Sequence, residues 1–164
     1  MTTLRMELLQ QMPIFGGIAD AALAHLLEPV RTVAVPAGEY FFRERDAADS
    51  MYVLESGRVA VTKEWAGREL LLHQLAAGDC FGEMALLDLF PRSASVRAVE
   101  DCRAMALTTE HLFRLFEHSA EPFAMIQMNI AREMSRRLRV SDEALFRLTM
   151  GADQSAPETA FHAI

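Results

Sequence analysis

The chain has 164 residues, 51% of them hydrophobic, and a formal net charge of −7, enough apolar material for one good core and an acid excess that argues against a dedicated nucleic-acid surface. It has no secretory n- and h-region and no apolar run of bilayer length, which makes a cytosolic protein the expectation.

Residues 4–12 predict a short amphipathic helix with Leu4, Leu8, Leu9 and Met12 on one side, broken at Pro13. Asp20 is expected to cap a second helix carrying Leu23, Leu26 and Leu27, which Pro29 stops. From Val30 to Leu107 the pattern becomes short strands between turn residues. The strands expected are Thr32–Val35, Tyr40–Arg43, Met51–Glu55, Arg58–Lys63, Glu69–Leu75, Ser95–Glu100 and Arg103–Leu107. Many short strands at this spacing predict a mainly β fold, a jelly-roll-like antiparallel barrel with flanking helices. Thr109 is expected to cap a helix through Glu117, and a break at Ser119 to Pro122 to precede a long helix to about Leu148. The domain boundaries read as 1–149, with the barrel at about 30–108 and the C-terminal helices at about 109–149; 150–164 reads as a flexible tail.

The most informative stretch is FGEMALLDLFPRSASV, Phe81–Val96. Leu86, Leu87, Leu89 and Phe90 are placed to anchor one helical turn on a core, whose N-terminus offers backbone N–H groups to an anion. Gly82 lets the backbone approach a ligand closely. Arg92 brings a fork-shaped cation that matches phosphate oxygens, and Ser93 a neutral donor beside it. Glu83, ionised, only accepts hydrogen bonds, so it suits a sugar hydroxyl. The block suits a cyclic phosphate diester on a ribose.

The block resembles the phosphate-binding cassette of the cyclic nucleotide-binding domain family, through FGE, the Ala-Leu-Leu that follows, and PRSASV. Weaker likeness extends over roughly residues 8–148. The resemblance implies N-terminal helices, a ligand-holding jelly roll (a double-stranded β-helix), and C-terminal helices that move when ligand arrives. It implies that Arg92 sits over the exocyclic phosphate oxygens and that Glu83 takes the ribose 2′-hydroxyl. Gly82, Met84 and Ala85 would supply backbone groups at the start of the cassette turn, with Ser93 and Ala94 at its far end. Val61 and Leu72 match pocket-wall positions but read equally as core. RRLRVSDE, Arg136–Glu143, matches the segment that meets the base, which points to Ser141, with Arg137 nearby; the bland reading is a solvated helix face. One departure is the turn Arg43-Glu44-Arg45-Asp46, near which relatives usually carry glycine. Arg45 adopts positive φ less cheaply, so that turn is expected to be reshaped.

The ligand implied is cyclic AMP, with cyclic GMP open because Ser93 suits either; no cofactor, metal or catalytic constellation is expected. The five histidines lack ligand spacing, and Cys80 and Cys102 form no CxxC pair and read as small buried hydrophobes. Phe123, Ile126, Ile130, Met134, Leu138, Ser141, Leu145 and Leu148 recur at three- and four-residue steps, which predicts a homodimer along the last helix or packing on the chain's own barrel. The arginines at 132, 136, 137 and 139 form a local basic cluster. The stretch after Leu148 is too short for a helix-turn-helix domain, leaving a free-standing sensor with an unknown effector, a ligand-independent interaction module, or a fragment of a transcription factor or channel.

Overall fold

The structure is a computed structural model that describes residues 2–88 and 90–150, and of residues 2–4 the backbone alone. The expected tail, the Leu4 side chain and Leu89 therefore lie outside the described residues. The chain opens with helix α1 (Thr2–Gln10), a 3-10 turn at Pro13–Phe15 and helix α2 (Asp20–Leu27). Leu9, Ile14, Phe15, Leu23 and Leu26 are all buried, so the N-terminal segment forms its own apolar layer. Arg5 ties α1 to the strands: its Nε donates to Glu55 Oε1 at 2.7 Å, and its Nη2 to Thr32 Oγ1.

Asp20 does not cap α2. Ala19 holds the N-cap position with no side-chain bond, and the Asp20 carboxylate instead accepts from Gln10 Nε2 at 2.7 Å. It still sits in the first turn, where the helix dipole favours a negative charge. The helix ends at Leu27 with Glu28 as C-cap, one residue before Pro29.

Eight strands come next: β1 (Arg31–Val35), β2 (Tyr40–Phe42), β3 (Ser50–Ser56), β4 (Arg58–Trp65), β5 (Arg68–Ala76), β6 (Cys80–Phe81), β7 (Ser95–Ala98) and β8 (Cys102–Thr108). They form two antiparallel sheets, ordered β1-β8-β3-β6 and β2-β7-β4-β5. The chain changes sheet at almost every step, as a jelly roll requires. Among the described residues no strand pairing joins the two sheets, so the roll is a sandwich and not a closed barrel. Inward-facing Leu54, Val59, Val61, Phe81, Val96 and Ala104 fill the space between the sheets. Along β4, Val59 and Val61 face that core, as the period of two dictates. β6 has only two residues and gives no periodic signal in the sequence. No disulfide joins the cysteines. Cys102 is buried with its Sγ facing the carbonyls of Arg58 and Glu100, and burial pushes its thiol pKa up.

β4 and β5 join through a two-residue turn, Ala66-Gly67, with φ of 50° and 73°. Positive φ at both positions is the hairpin turn whose twist matches the flanking strands. β5 lies at the sheet edge and is exposed along almost its whole length, including Leu70 and Leu71.

Helix α3 (Thr109–His118) is capped by Thr108, not Thr109. The Thr108 hydroxyl accepts from the His111 N–H at 3.3 Å, and His111 Nδ1 accepts from the Thr108 N–H at 3.2 Å. This is a capping box with histidine where Glu or Gln is usual. Helix α4 (Ala120–Met150) begins after Ser119 alone. The break is shorter than expected because Pro122 lies in the first turn of α4, where its missing N–H costs nothing. Residues up to Ile130 make one compact unit and those from Ala131 another. Within the first unit α4 is anchored by Asn129, whose Nδ2 donates to the carbonyls of Ile14 and Gly16. Ile126 and Ile130 are fully buried there. In the second unit Leu138, Leu145 and Leu148 are exposed. Among the described residues no helix is long and apolar enough to cross a membrane.

Candidate functional site

The cassette begins where β6 ends. Gly82 takes the left-handed conformation, φ 76°, and turns the chain into a 3-10 turn over Glu83–Leu86. A Cβ at Gly82 would stand 2.7 Å from Arg92 Nη1 and 3.3 Å from the Ser50 carbonyl oxygen. Glycine is thus required twice, by backbone conformation and by the arginine lying against it. Ala85 and Leu86 anchor the turn in the core. Leu87 and Phe90 do not, since both are exposed; the turn ends at Leu87, and a single short turn presents only one face inward.

Arg92 is 6% exposed. Its Nη1 donates to the Ser50 carbonyl at 2.7 Å and to the Gly82 carbonyl at 3.3 Å, and Nη2 donates to Ser50 Oγ at 3.2 Å. The guanidinium carbon lies 3.9 Å from the centroid of the Phe42 ring and 6.0 Å from that of Tyr52. Its Nε is buried with no hydrogen-bond partner. All three acceptors are uncharged, so a buried cation is held by neutral oxygens and ring faces. Burial lowers the Arg92 pKa, opposed by Tyr52, Asp49, Asp46 and Glu83.

The backbone of Arg92 is clamped as tightly as its side chain. Its N–H donates to the Asp46 carbonyl at 2.9 Å, and its carbonyl accepts from the Arg45 N–H at 2.8 Å. Arg45 itself has φ 73°. The turn expected to be reshaped therefore keeps a left-handed residue, with arginine bearing strain that glycine would avoid. Asp46 Oδ2 closes this turn by accepting from the Arg43 N–H at 2.7 Å.

The structure brings Gly82, Glu83, Met84, Ala85, Arg92, Ser93 and Ala94 into one cassette. Glu83, 4% exposed, is the first residue of the turn. Ser93 Oγ lies 4.0 Å from Met84 Sδ, joining the two ends of the block. Ala94 packs against the inter-sheet core. Lys63 reaches the same loop, its Nζ donating to the Ser93 carbonyl at 3.1 Å, with Glu44 Oε1 at 3.5 Å. Val61 is a core residue of β4. Leu72 is half exposed on β5: Val61 pairs with His73 and Thr62 with Leu71, so Leu72 is the bulged residue between them. Arg137 and Ser141 lie one turn apart on α4, where Ser141 Oγ donates to the Arg137 carbonyl at 3.1 Å.

Sequence reasoning misses Ser50, Phe42 and Tyr52, which surround the Arg92 guanidinium. Their only signal is a pair of aromatic strand residues, and neither aromatic is marked in the sequence as lying over a cation.

The family model for the cyclic nucleotide-binding domain matches residues 32–119. The chain belongs to the cyclic nucleotide-binding domain family. It is 34% identical over 124 residues to a cAMP-dependent protein kinase regulatory subunit of Emericella nidulans, covering 70% of this chain and 30% of that one. It is 34% identical over 131 residues to a cyclic AMP receptor protein of Thermus thermophilus, covering 79% of this chain and 59% of that one. The crystal structure of the Thermus thermophilus catabolite activator protein superposes with a TM-score of 0.75 at 33% identity, over 84% of this chain and 63% of that one. The chain thus spans less than two thirds of each of these relatives.

Proposed function

We propose that this domain is a regulatory sensor that binds a cyclic nucleotide, cyclic AMP by preference, in the cassette around Arg92. The observation that carries the reading is the buried Arg92 guanidinium, which has only neutral acceptors and an unpartnered Nε. A buried donor without an acceptor is costly, and a phosphate oxygen meets the vacant donor and brings a negative charge to the cation. Glu83, at the first position of the turn, accepts the ribose hydroxyl in this reading, and Ser93 donates to the phosphate. Ser141 and Arg137 are assigned to the base on the family resemblance. The cyclic AMP preference rests on the printed names of the kinase subunit and receptor relatives.

The output in this reading passes through α3 and α4 to a dimer mate or an effector protein. Exposed Leu138, Leu145 and Leu148 in the second half of α4 support a dimer, since they continue the seam beyond the buried Ile126 and Ile130. Thermal melting with cyclic AMP and cyclic GMP tests ligand binding. A hundred-fold excess over the dissociation constant stabilises the fold by roughly 2.7 kcal/mol. A melting curve unmoved by either nucleotide favours a ligand-independent interaction module of the same fold.

A further inference from the structure

The sheet β2-β7-β4-β5 has an outer face, turned away from the inter-sheet core, and that face is grooved. Val59 and Val61 of β4 and Val96 of β7 point into the core, so Ala60, Thr62 and Arg97, which alternate with them, point outward. Ala60 and Thr62 are nevertheless buried, at 5% and 3% exposure. They form the floor of a cavity of about 350 Å³ whose walls are Glu69, Leu71 and Gln74 of β5 together with Arg97 and Val99. The Thr62 hydroxyl oxygen is buried there without a hydrogen-bond partner. Among the described residues no side-chain hydrogen bond or ion pair engages Arg97, Glu69 or Gln74 either.

We propose that this groove binds a small zwitterion, an α-amino acid with an apolar side chain, at a site separate from the nucleotide cassette. The walls carry one cation and one anion, so each pole of a zwitterion meets a charge of opposite sign. Arg97 stands on β7 and Glu69 on β5, the strands that flank β4, so the two charges face the floor from opposite sides. The Arg97 fork matches the ligand carboxylate, and the Glu69 carboxylate accepts from the ligand ammonium. Leu71, Val99 and Ala60 give the apolar side chain a surface to cover. The Thr62 hydroxyl both donates and accepts, so it serves either pole, and a ligand there removes the cost of a buried polar group with no partner. The volume lies at the low end of the range for small-molecule sites, about 300–1,000 Å³, which suits a single amino acid and not a peptide.

The test is an amide NMR titration of the nucleotide-free full chain with L-leucine. Saturable shifts are expected at the Thr62, Leu71 and Arg97 amides, with a dissociation constant of about 1 mM or below. Isocaproate, which lacks the ammonium, and isoamylamine, which lacks the carboxylate, are each expected to bind at least about tenfold more weakly. Arg97→Gln and Glu69→Gln are each expected to weaken L-leucine binding at least about fivefold, while Glu69→Gln leaves isocaproate unchanged. Thr62→Val keeps the shape and removes the unpartnered hydroxyl. It is expected to melt no lower than wild type while binding L-leucine about threefold more weakly. No shift in wild type up to about 20 mM L-leucine, isocaproate binding as tightly as L-leucine, or undiminished affinity in both charge variants overturns the proposal.

Discussion

At Arg92 the side chain and the main chain are held by different segments. Ser50 and Gly82 hold the guanidinium, and Arg45 and Asp46 hold the backbone. Arg92→Ala is therefore expected to weaken cyclic nucleotide binding by about 2–5 kcal/mol, the range for losing a buried charged hydrogen-bond partner. Gly82→Ala forces positive φ on a residue with a Cβ and pushes that Cβ to 2.7 Å from Arg92 Nη1. The cost is at least about 1–2 kcal/mol in a urea melt, with a parallel loss of nucleotide affinity; a variant unchanged in both refutes the contact. Arg45→Gly works in the opposite direction. Relief of left-handed strain outweighs the entropy glycine loses on folding, and the urea midpoint is expected to rise by about 0.5–1 kcal/mol in stability. The cassette residues were legible because the motif names them by type and order. Ser50 and Phe42 were not, since their role depends on which loop lies above them after folding.

The helices around the sandwich show what sequence pattern resolves and what it blurs. Boundaries slipped by a residue at Asp20 and at Thr109, because Asp20 is a far better cap by type than the Ala19 that holds the position, and Thr108 and Thr109 are alike by type. The α3 cap has a consequence for pH. His111 Nδ1 must be unprotonated to accept from the Thr108 N–H. Burial lowers the His111 pKa, with Arg114 adding to the effect and Glu110 opposing it. The unfolded chain therefore takes up the proton first. The contribution is fully present above the ordinary histidine pKa of about 6.5 and is lost as pH falls from there through the lowered folded value. Urea midpoints at about pH 7.5 and about pH 5 are expected to fall further in wild type than in His111→Gln, whose amide oxygen caps without titrating. Equal falls would remove His111 from the pH response. On α4 the apolar repeat read as one seam divides in two: Ile130 is fully buried within the first unit, whereas Leu138 is 61% exposed. Periodicity reports an apolar face but not what covers it. Leu138→Glu with Leu145→Glu is expected to convert a dimer to a folded monomer in light scattering, while Ile130→Glu unfolds the domain. A wild-type monomer at tens of micromolar, with or without nucleotide, contradicts the dimer.

For the molecule as a whole, the order of elements and every strand but the two-residue β6 were readable because short apolar alternations are separated by Gly, Pro and Asp turns. The division into two sheets was not, because which strands pair depends on long-range register; β1 pairs with β8, some seventy residues away. The resulting sandwich delivers the end of β6, the start of β3 and the loop before β7 to one point, where, among the described residues, the Arg92 guanidinium donates to neutral oxygens of Ser50 and Gly82. The central claim is that this cation holds the phosphate of a cyclic nucleotide. The direct measurement is calorimetric titration of cyclic AMP into wild type and Arg92→Ala side by side. The account predicts saturable binding of one nucleotide per chain in wild type, and an affinity lower by a factor of about thirty or more in a variant that stays folded. Equal affinity in the two proteins, or no binding of cyclic AMP or cyclic GMP by wild type, would contradict it.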